Sequence, residues 1–180
     1  MPFTVRAGRP CAPPFPTGLA RGRLRAMLRS LLLCAVLALA GCGDDASSSS
    51  GDPAKVTYAE SLGVDLSAMN KSESGLYTQD LVVGTGKEAV NNSYVLVHYA
   101  GWLPEGSPFD NSRARGQPFD FVVGRGEVIK GWDEGLVGMR VGGKRKLVIP
   151  SELGYGSRGS APVIPSNAVL VFDVELMNVY

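Results

Sequence analysis

The chain carries one unbroken apolar run near its start and a series of short alternating ones towards its end. Residues 31–40 (LLLCAVLALA) are apolar without interruption. Ten residues are too few to cross about 30 Å of hydrocarbon, but they suit the hydrophobic region of an export signal. From residue 74 the runs shorten. Residues 76–83 predict a strand stopped by Gly84-Thr85-Gly86. Residues 94–102 (YVLVHYAGW) are rich in β-branched and aromatic side chains, the composition of a central strand. Pro104-Glu105-Gly106 predicts a turn. Residues 119–123, 144–149 and 168–180 predict three more strands, and in the last Leu170, Phe172, Val174 and Leu176 share one face by alternation. A helix is predicted over 128–139, where Ile129, Trp132 and Leu136 fall on one side. Gly131 and Gly135 weaken it by roughly 1 kcal/mol each relative to alanine, so it needs support from a sheet packed around it. Residues 52–72 hold scattered apolar positions and read as a short arm packing on the domain. Several strands and one short helix predict an α+β fold with an antiparallel sheet covering the helix.

Composition then narrows the function. With 44% hydrophobic residues in 180, the chain can bury a core, and 23 Gly and 12 Pro fit a turn-rich, strand-rich fold. The formal net charge of +1 hides an asymmetry. Six arginines and no acids precede residue 42; beyond it 12 cations face 17 anions, which leaves −5. No basic surplus argues for nucleic acid. The cysteines are Cys11, Cys34 and Cys42, and the one histidine is His98. A Cys/His metal site in the folded part is therefore excluded, as is a nucleophile–histidine system that bypasses His98. His98 faces away from Tyr99 by strand alternation and reads as a structural histidine. Lys144-Arg145-Lys146 reads as a solvated strand edge. Asp44-Asp45 belongs to a tether and makes no acid/base pair.

The apolar run ends in Leu39-Ala40-Gly41-Cys42. Small residues before a cysteine resemble the bacterial lipobox, which implies lipidation of Cys42 after cleavage. Residues 1–41 are then the signal peptide. Their Arg- and Pro-rich first 26 residues make a poor signal start, so Met27 is the expected initiator. Residues 42–73 would hold the lipidated cysteine, a Ser-rich tether and the arm; residues 74–180 would be the domain. Gly43, where an Asp would favour inner-membrane retention, points to the periplasmic side of the outer membrane.

The run VHYAGWL, FDNSR, PFDFVVG, EVIKGWDEGLVGMRVGGKRKLVIPSELGYG and IPSNAVLVFDVEL resembles the FKBP-type peptidyl-prolyl cis-trans isomerases, and the resemblance covers residues 74–180 almost without a gap. The resemblance implies a five-to-six-stranded antiparallel sheet wrapped around one short helix, with a proline pocket between them. It implies that Tyr99, Phe109, Asp110, Tyr155 and Phe172 carry catalysis. Phe119, Phe121, Val128, Ile129 and Ile164 would bind substrate, with Trp132 as the pocket floor. No cofactor and no metal are expected. Proline-containing polypeptides are the implied partners, macrolides the implied inhibitors, and a monomer is expected because residues 43–73 are too short and polar for the long helical arm of dimeric members. Ser160 stands where the eukaryotic archetype has histidine, and Leu153 replaces an aromatic; both lie at the rim, where they bear on substrate preference and drug affinity. The alternative is a non-catalytic peptide-binding or chaperone module on the same fold; the intact set of pocket residues favours the enzyme.

Overall fold

The computed structural model describes residues 50–180. The signal, Cys42 and most of the tether lie outside the described residues. The strands are β1 (Asn70–Lys71), β2 (Tyr77–Val82), β3 (Tyr94–Trp102), β4 (Pro108–Asn111), β5 (Phe119–Val122), β6 (Lys144–Ile149) and β7 (Leu170–Val179). Among the described residues one α-helix, α1, spans Lys130–Gly135. All strand pairs are antiparallel, in the order β1-β2-β6-β7-β3-β4. The outer edge of β3 is shared: β5 pairs with its first half and β4 with its second.

All five predicted strands form. Two were not foreseen. β1 is only two residues, and β4 has Pro at its first position, which suits an edge strand because proline cannot donate to a ladder. The helix is shorter than the 128–139 predicted. Ile129 is extended, with ψ of 147°, and the helix ends at Leu136 ahead of Gly138, whose φ of +80° no helix continues through.

The sheet has two apolar faces, and β7 serves both. Leu170, Phe172, Val174 and Leu176 pack with Val95, Val97, Leu147 and Ile149 against Trp132 of α1 and Leu136 at its end. Val171 faces the opposite side with Val148, Val169 and Tyr77. The arm covers that second face: Leu62 and Met69 are buried there, with Val56, Tyr58 and Leu66 packed around them. Three single 3₁₀ turns, at Pro53–Lys55, Glu60–Leu62 and Leu66–Ala68, bring these side chains round without a continuous period.

The glycines that weaken α1 have a packing reason. A Cβ on Gly131 would stand 2.5 Å from Ile149 Cγ2, and one on Gly135 would stand 2.8 Å from Leu147 Cδ2. The helix lies directly on β6, and only glycine allows that approach. Arg145 then donates to the carbonyls of Gly135 at 2.9 Å and Val137 at 3.1 Å, satisfying the helix C-terminus.

The basic run 144–146 is not a strand edge. β6 lies between β2 and β7. Lys146 is buried and pairs with Asp173 at 2.7 Å, Lys144 pairs with the same carboxylate at 3.1 Å, and Arg145 pairs with Asp80 at 2.6 Å. Three cations inside a sheet hold because each has a carboxylate across the ladder. His98, on the arm's side of the sheet, has Ser112 Oγ 3.0 Å from its Nδ1.

Candidate active site

Between α1 and the concave face of the sheet lies a cavity of about 190 Å³, lined by Tyr99, Phe109, Asp110, Phe119, Glu127, Val128, Ile129, Trp132, Tyr155 and Phe172. Four strands and the helix contribute. Tyr99 comes from β3, Phe109 and Asp110 from β4, Phe119 from β5, Trp132 from α1 and Phe172 from β7. Trp132 is the floor, almost fully buried. Tyr99 and Phe172 turn edges towards it, at centroid distances of 4.8 and 5.3 Å and angles of 83° and 82°. Phe109 meets Phe172 edge to face at 5.4 Å. These rings pack through their quadrupoles and leave an apolar wall. The indole N–H of Trp132 is buried and finds no hydrogen-bond partner among the described residues.

Two of the expected site residues stand elsewhere. Phe121 shares a face with Phe119 but lies one strand repeat further in, only 2% exposed, packed on Trp132 at 5.7 Å and stacked under Phe119. It is core behind the pocket wall. Ile164 is also core; its backbone pairs with Ser160, whose N–H donates to the Ile164 carbonyl at 2.7 Å. It closes the rim loop and does not line the cavity.

Polar groups collect at one side of the mouth. The Tyr99 hydroxyl donates to Asp110 Oδ2 at 2.5 Å. Arg115 was not singled out in the sequence, yet it joins both: its Nη2 donates to the Tyr99 hydroxyl at 2.8 Å and its Nη1 is ion-paired with Asp110 Oδ1. The Asn111 N–H gives Asp110 Oδ1 a further donor at 2.8 Å. The turn after β4, closed by the Arg115 N–H donating to the Asn111 carbonyl at 3.3 Å, brings Arg115 back beside the strand it follows. No spacing rule in FDNSRAR announces that return. Asp133 was also missed; its carboxylate accepts the N–H groups of Gly124 and Gly126, each at 2.8 Å, and fixes the loop between β5 and α1.

Two donors remain on the opposite wall. Ile129 precedes α1, and its N–H has no acceptor among the described residues; nor has the hydroxyl of Tyr155, whose ring is 41% exposed at the rim. An apolar cavity with two free donors on one wall and a fixed carboxylate on the other can hold an apolar ring and orient carbonyls beside it. It holds no arrangement of a nucleophile against a general base.

A single short helix wrapped by an antiparallel sheet, with an aromatic cavity between, defines the class as an isomerase of the FKBP fold. The chain belongs to the FKBP-type peptidyl-prolyl cis-trans isomerase family, whose model matches residues 85–177, and it is an enzyme of that activity. The chain is 57% identical over 106 residues to an FK506-binding protein of Neisseria meningitidis serogroup B, covering 59% of this chain and 97% of that one. It is 60% identical over 83 residues to the Homo sapiens peptidyl-prolyl cis-trans isomerase FKBP2, covering 46% of this chain and 58% of that one. Among solved structures, AtFKBP13 superposes with a TM-score of 0.59 at 45% identity, covering 62% of this chain and 98% of that one. FkpA from Escherichia coli superposes with a TM-score of 0.59 at 44% identity, covering 67% and 55%.

Proposed function

We propose that the isomerase acts by binding a twisted X–Pro amide better than a planar one, in the cavity between α1 and the sheet. The observation that carries this is the convergence of Tyr99, Phe109, Trp132 and Phe172 around one water-poor space with free donors at Ile129 and Tyr155. Rotation about the amide is opposed by about 18–20 kcal/mol of resonance. Each roughly 1.4 kcal/mol of preferential binding to the twisted form gives a tenfold acceleration. The twisted amide has a less polar carbonyl and a pyramidal nitrogen, so an apolar cavity favours it over water. The proline ring sits over Trp132. The Ile129 N–H and the Tyr155 hydroxyl donate to the flanking carbonyls and hold the chain while one amide rotates. Asp110, fixed by Tyr99 and Arg115, faces the rotating carbonyl as an electrostatic and orienting group. No bond is made and no proton moves.

The assay is isomerisation of a Leu-Pro peptide coupled to an isomer-specific protease. Tyr155→Phe removes one hydroxyl and keeps the ring; one neutral hydrogen bond is worth about 0.5–1.5 kcal/mol, so kcat/KM should fall roughly threefold to tenfold with near-native folding. A loss of several hundredfold would mean Tyr155 performs chemistry beyond this role.

The clients are exported or envelope polypeptides, and the enzyme is a monomer held at the membrane by a lipid on Cys42. The order of signal, small residues and Cys42, followed by a polar tether, supports this reading. Macrolides related to FK506, which name the relatives, would compete for the same cavity. Cys42→Ser should move the protein from the membrane fraction to the soluble one; membrane association that survives the change overturns the anchor.

A further inference from the structure

Gly51 sits where the arm meets the catalytic rim. It is buried, with a φ of +70°, and its carbonyl accepts the Ser151 N–H at 3.0 Å. A Cβ here would stand 2.4 Å from Ser151 Oγ and 3.7 Å from the carbonyl oxygen of Asn167. Ser151 and Asn167 are the two ends of the segment that carries Tyr155. Within it, the Gly154 N–H donates to the Ser151 carbonyl at 3.0 Å, and the Asn167 N–H donates to the Gly156 carbonyl at 2.9 Å. Tyr155 thus hangs between two glycines, one tied to Ser151 and the other to Asn167. Glycine restrains its neighbours weakly, so the direction of the phenol depends on those two anchors. Gly51 bonds the first anchor directly, and the carbonyl oxygen of the second lies beside the place its Cβ would take.

The start of the arm is itself held. Asp52 Oδ1 accepts the Ala54 N–H at 3.0 Å, Pro53 is buried, and the Tyr58 hydroxyl donates to the Pro53 carbonyl at 2.8 Å. The residues matched by the family model begin at 85, so the arm is an addition outside that match. We propose that Gly51 is a positioning residue: it clamps the two ends of the segment 151–167 together and so sets where the Tyr155 hydroxyl meets the substrate carbonyl. The proposal rests on the role given to Tyr155 above.

The test measures kcat/KM of the full chain in four forms: wild type, Gly51→Ala, Tyr155→Phe and the double variant. Tyr155→Phe alone tests the hydroxyl's role; if it is silent, that role is wrong and the clamp falls with it. Given the expected threefold to tenfold loss there, Gly51→Ala should lose roughly twofold to tenfold, because its methyl displaces Ser151. In the Tyr155→Phe background the same change should stay within about 1.5-fold, since the group it misplaces is gone. Ser151→Gly, which removes the obstructing side chain, should restore part of the activity of Gly51→Ala. Wild-type activity in Gly51→Ala, or an equal loss in both backgrounds, would overturn the clamp. If Gly51→Ala does not fold, Tyr58→Phe, which frees the Pro53 carbonyl, takes its place: a smaller loss that vanishes with Tyr155→Phe supports the clamp, and no loss overturns it.

Discussion

Phe109 and Phe172 meet edge to face, at 88° with centroids 5.4 Å apart, in the space above Gly101 where a side chain would stand. A Cβ on Gly101 would lie 2.7 Å from Phe109 Cζ and 2.7 Å from Phe172 Cε1. Gly101 pairs with Phe172 on one side and Asp110 on the other. Gly101→Ala should therefore force both rings out of place, costing about 1–3 kcal/mol of stability as an overpacked core does. It should lower kcat/KM by roughly tenfold or more, because both rings form the pocket wall. Urea unfolding and the coupled isomerisation assay check the two effects; unchanged activity would show that the ring pair does not shape the pocket.

Arg115 gives a second prediction. Its side chain and that of Asp110 are 46% and 37% exposed, so the ion pair adds little stability. Arg115→Ala should change the unfolding free energy by less than about 1 kcal/mol. It should still lower kcat/KM roughly threefold, because Tyr99 and Asp110 lose the group that bridges them. Arg115→Lys should recover only part of this, since an ammonium cannot reach both oxygens in one planar fork. Full activity in Arg115→Ala would reduce the guanidinium to a surface charge.

The pair Lys146 and Asp173 predicts the opposite balance. Both side chains are largely buried, 7% and 16% exposed. Asp173→Ala leaves Lys146 charged and unpaired inside the sheet and should cost about 3–5 kcal/mol. Replacing both, as Lys146→Met with Asp173→Leu, should be far less costly, since Lys144, the other cation on that carboxylate, is 41% exposed and keeps its charge in water. Thermal or urea unfolding separates these outcomes. Equal destabilisation by the single and double changes would mean that shape rather than charge holds this position.

No proton moves in the proposed turnover, and His98 bonds Ser112 on the far side of the sheet from the cavity. The expected profile of kcat/KM is flat from about pH 6 to 8.5, and indifferent to EDTA; general acid–base catalysis would bend it within that window. An inflection that disappears in a folded His98→Gln variant would bring the imidazole into the mechanism.

Tyr58 gives the arm its own pH dependence. Burial, with smaller contributions from Tyr77 and Asp52, pushes its phenol well above the usual tyrosine range. A group whose affinity for its proton is greater in the folded state stabilises fully below its unfolded value, near pH ~10 for tyrosine, and loses that contribution as pH rises towards the folded one. Unfolding measured at pH 8 and at pH 11 should show a fall in stability that is smaller in Tyr58→Phe. An equal fall in both proteins would place the alkaline sensitivity elsewhere.

Alternation along each strand is legible in the sequence itself. Leu170, Phe172, Val174 and Leu176 do share the inner face, 144–149 is a strand with the bounds read from it, and the glycine-weakened helix does lean on a sheet. The motifs placed nine of the eleven expected pocket residues around one cavity. Period determines which face a side chain takes, because it is a property of the local backbone. It carries no information on depth along the strand, so Phe119 reached the cavity while Phe121, two residues on, went behind Trp132. Strand order lay equally beyond it. Lys144-Arg145-Lys146 reads as an edge until β2 and β7 close on both sides and supply Asp80 and Asp173 from 65 and 27 residues away. Arg115 over Tyr99 and Gly51 against Ser151 are contacts of the same kind: each depends on how a loop or arm returns to a sheet already formed, and that is decided by packing in three dimensions rather than by spacing along the chain.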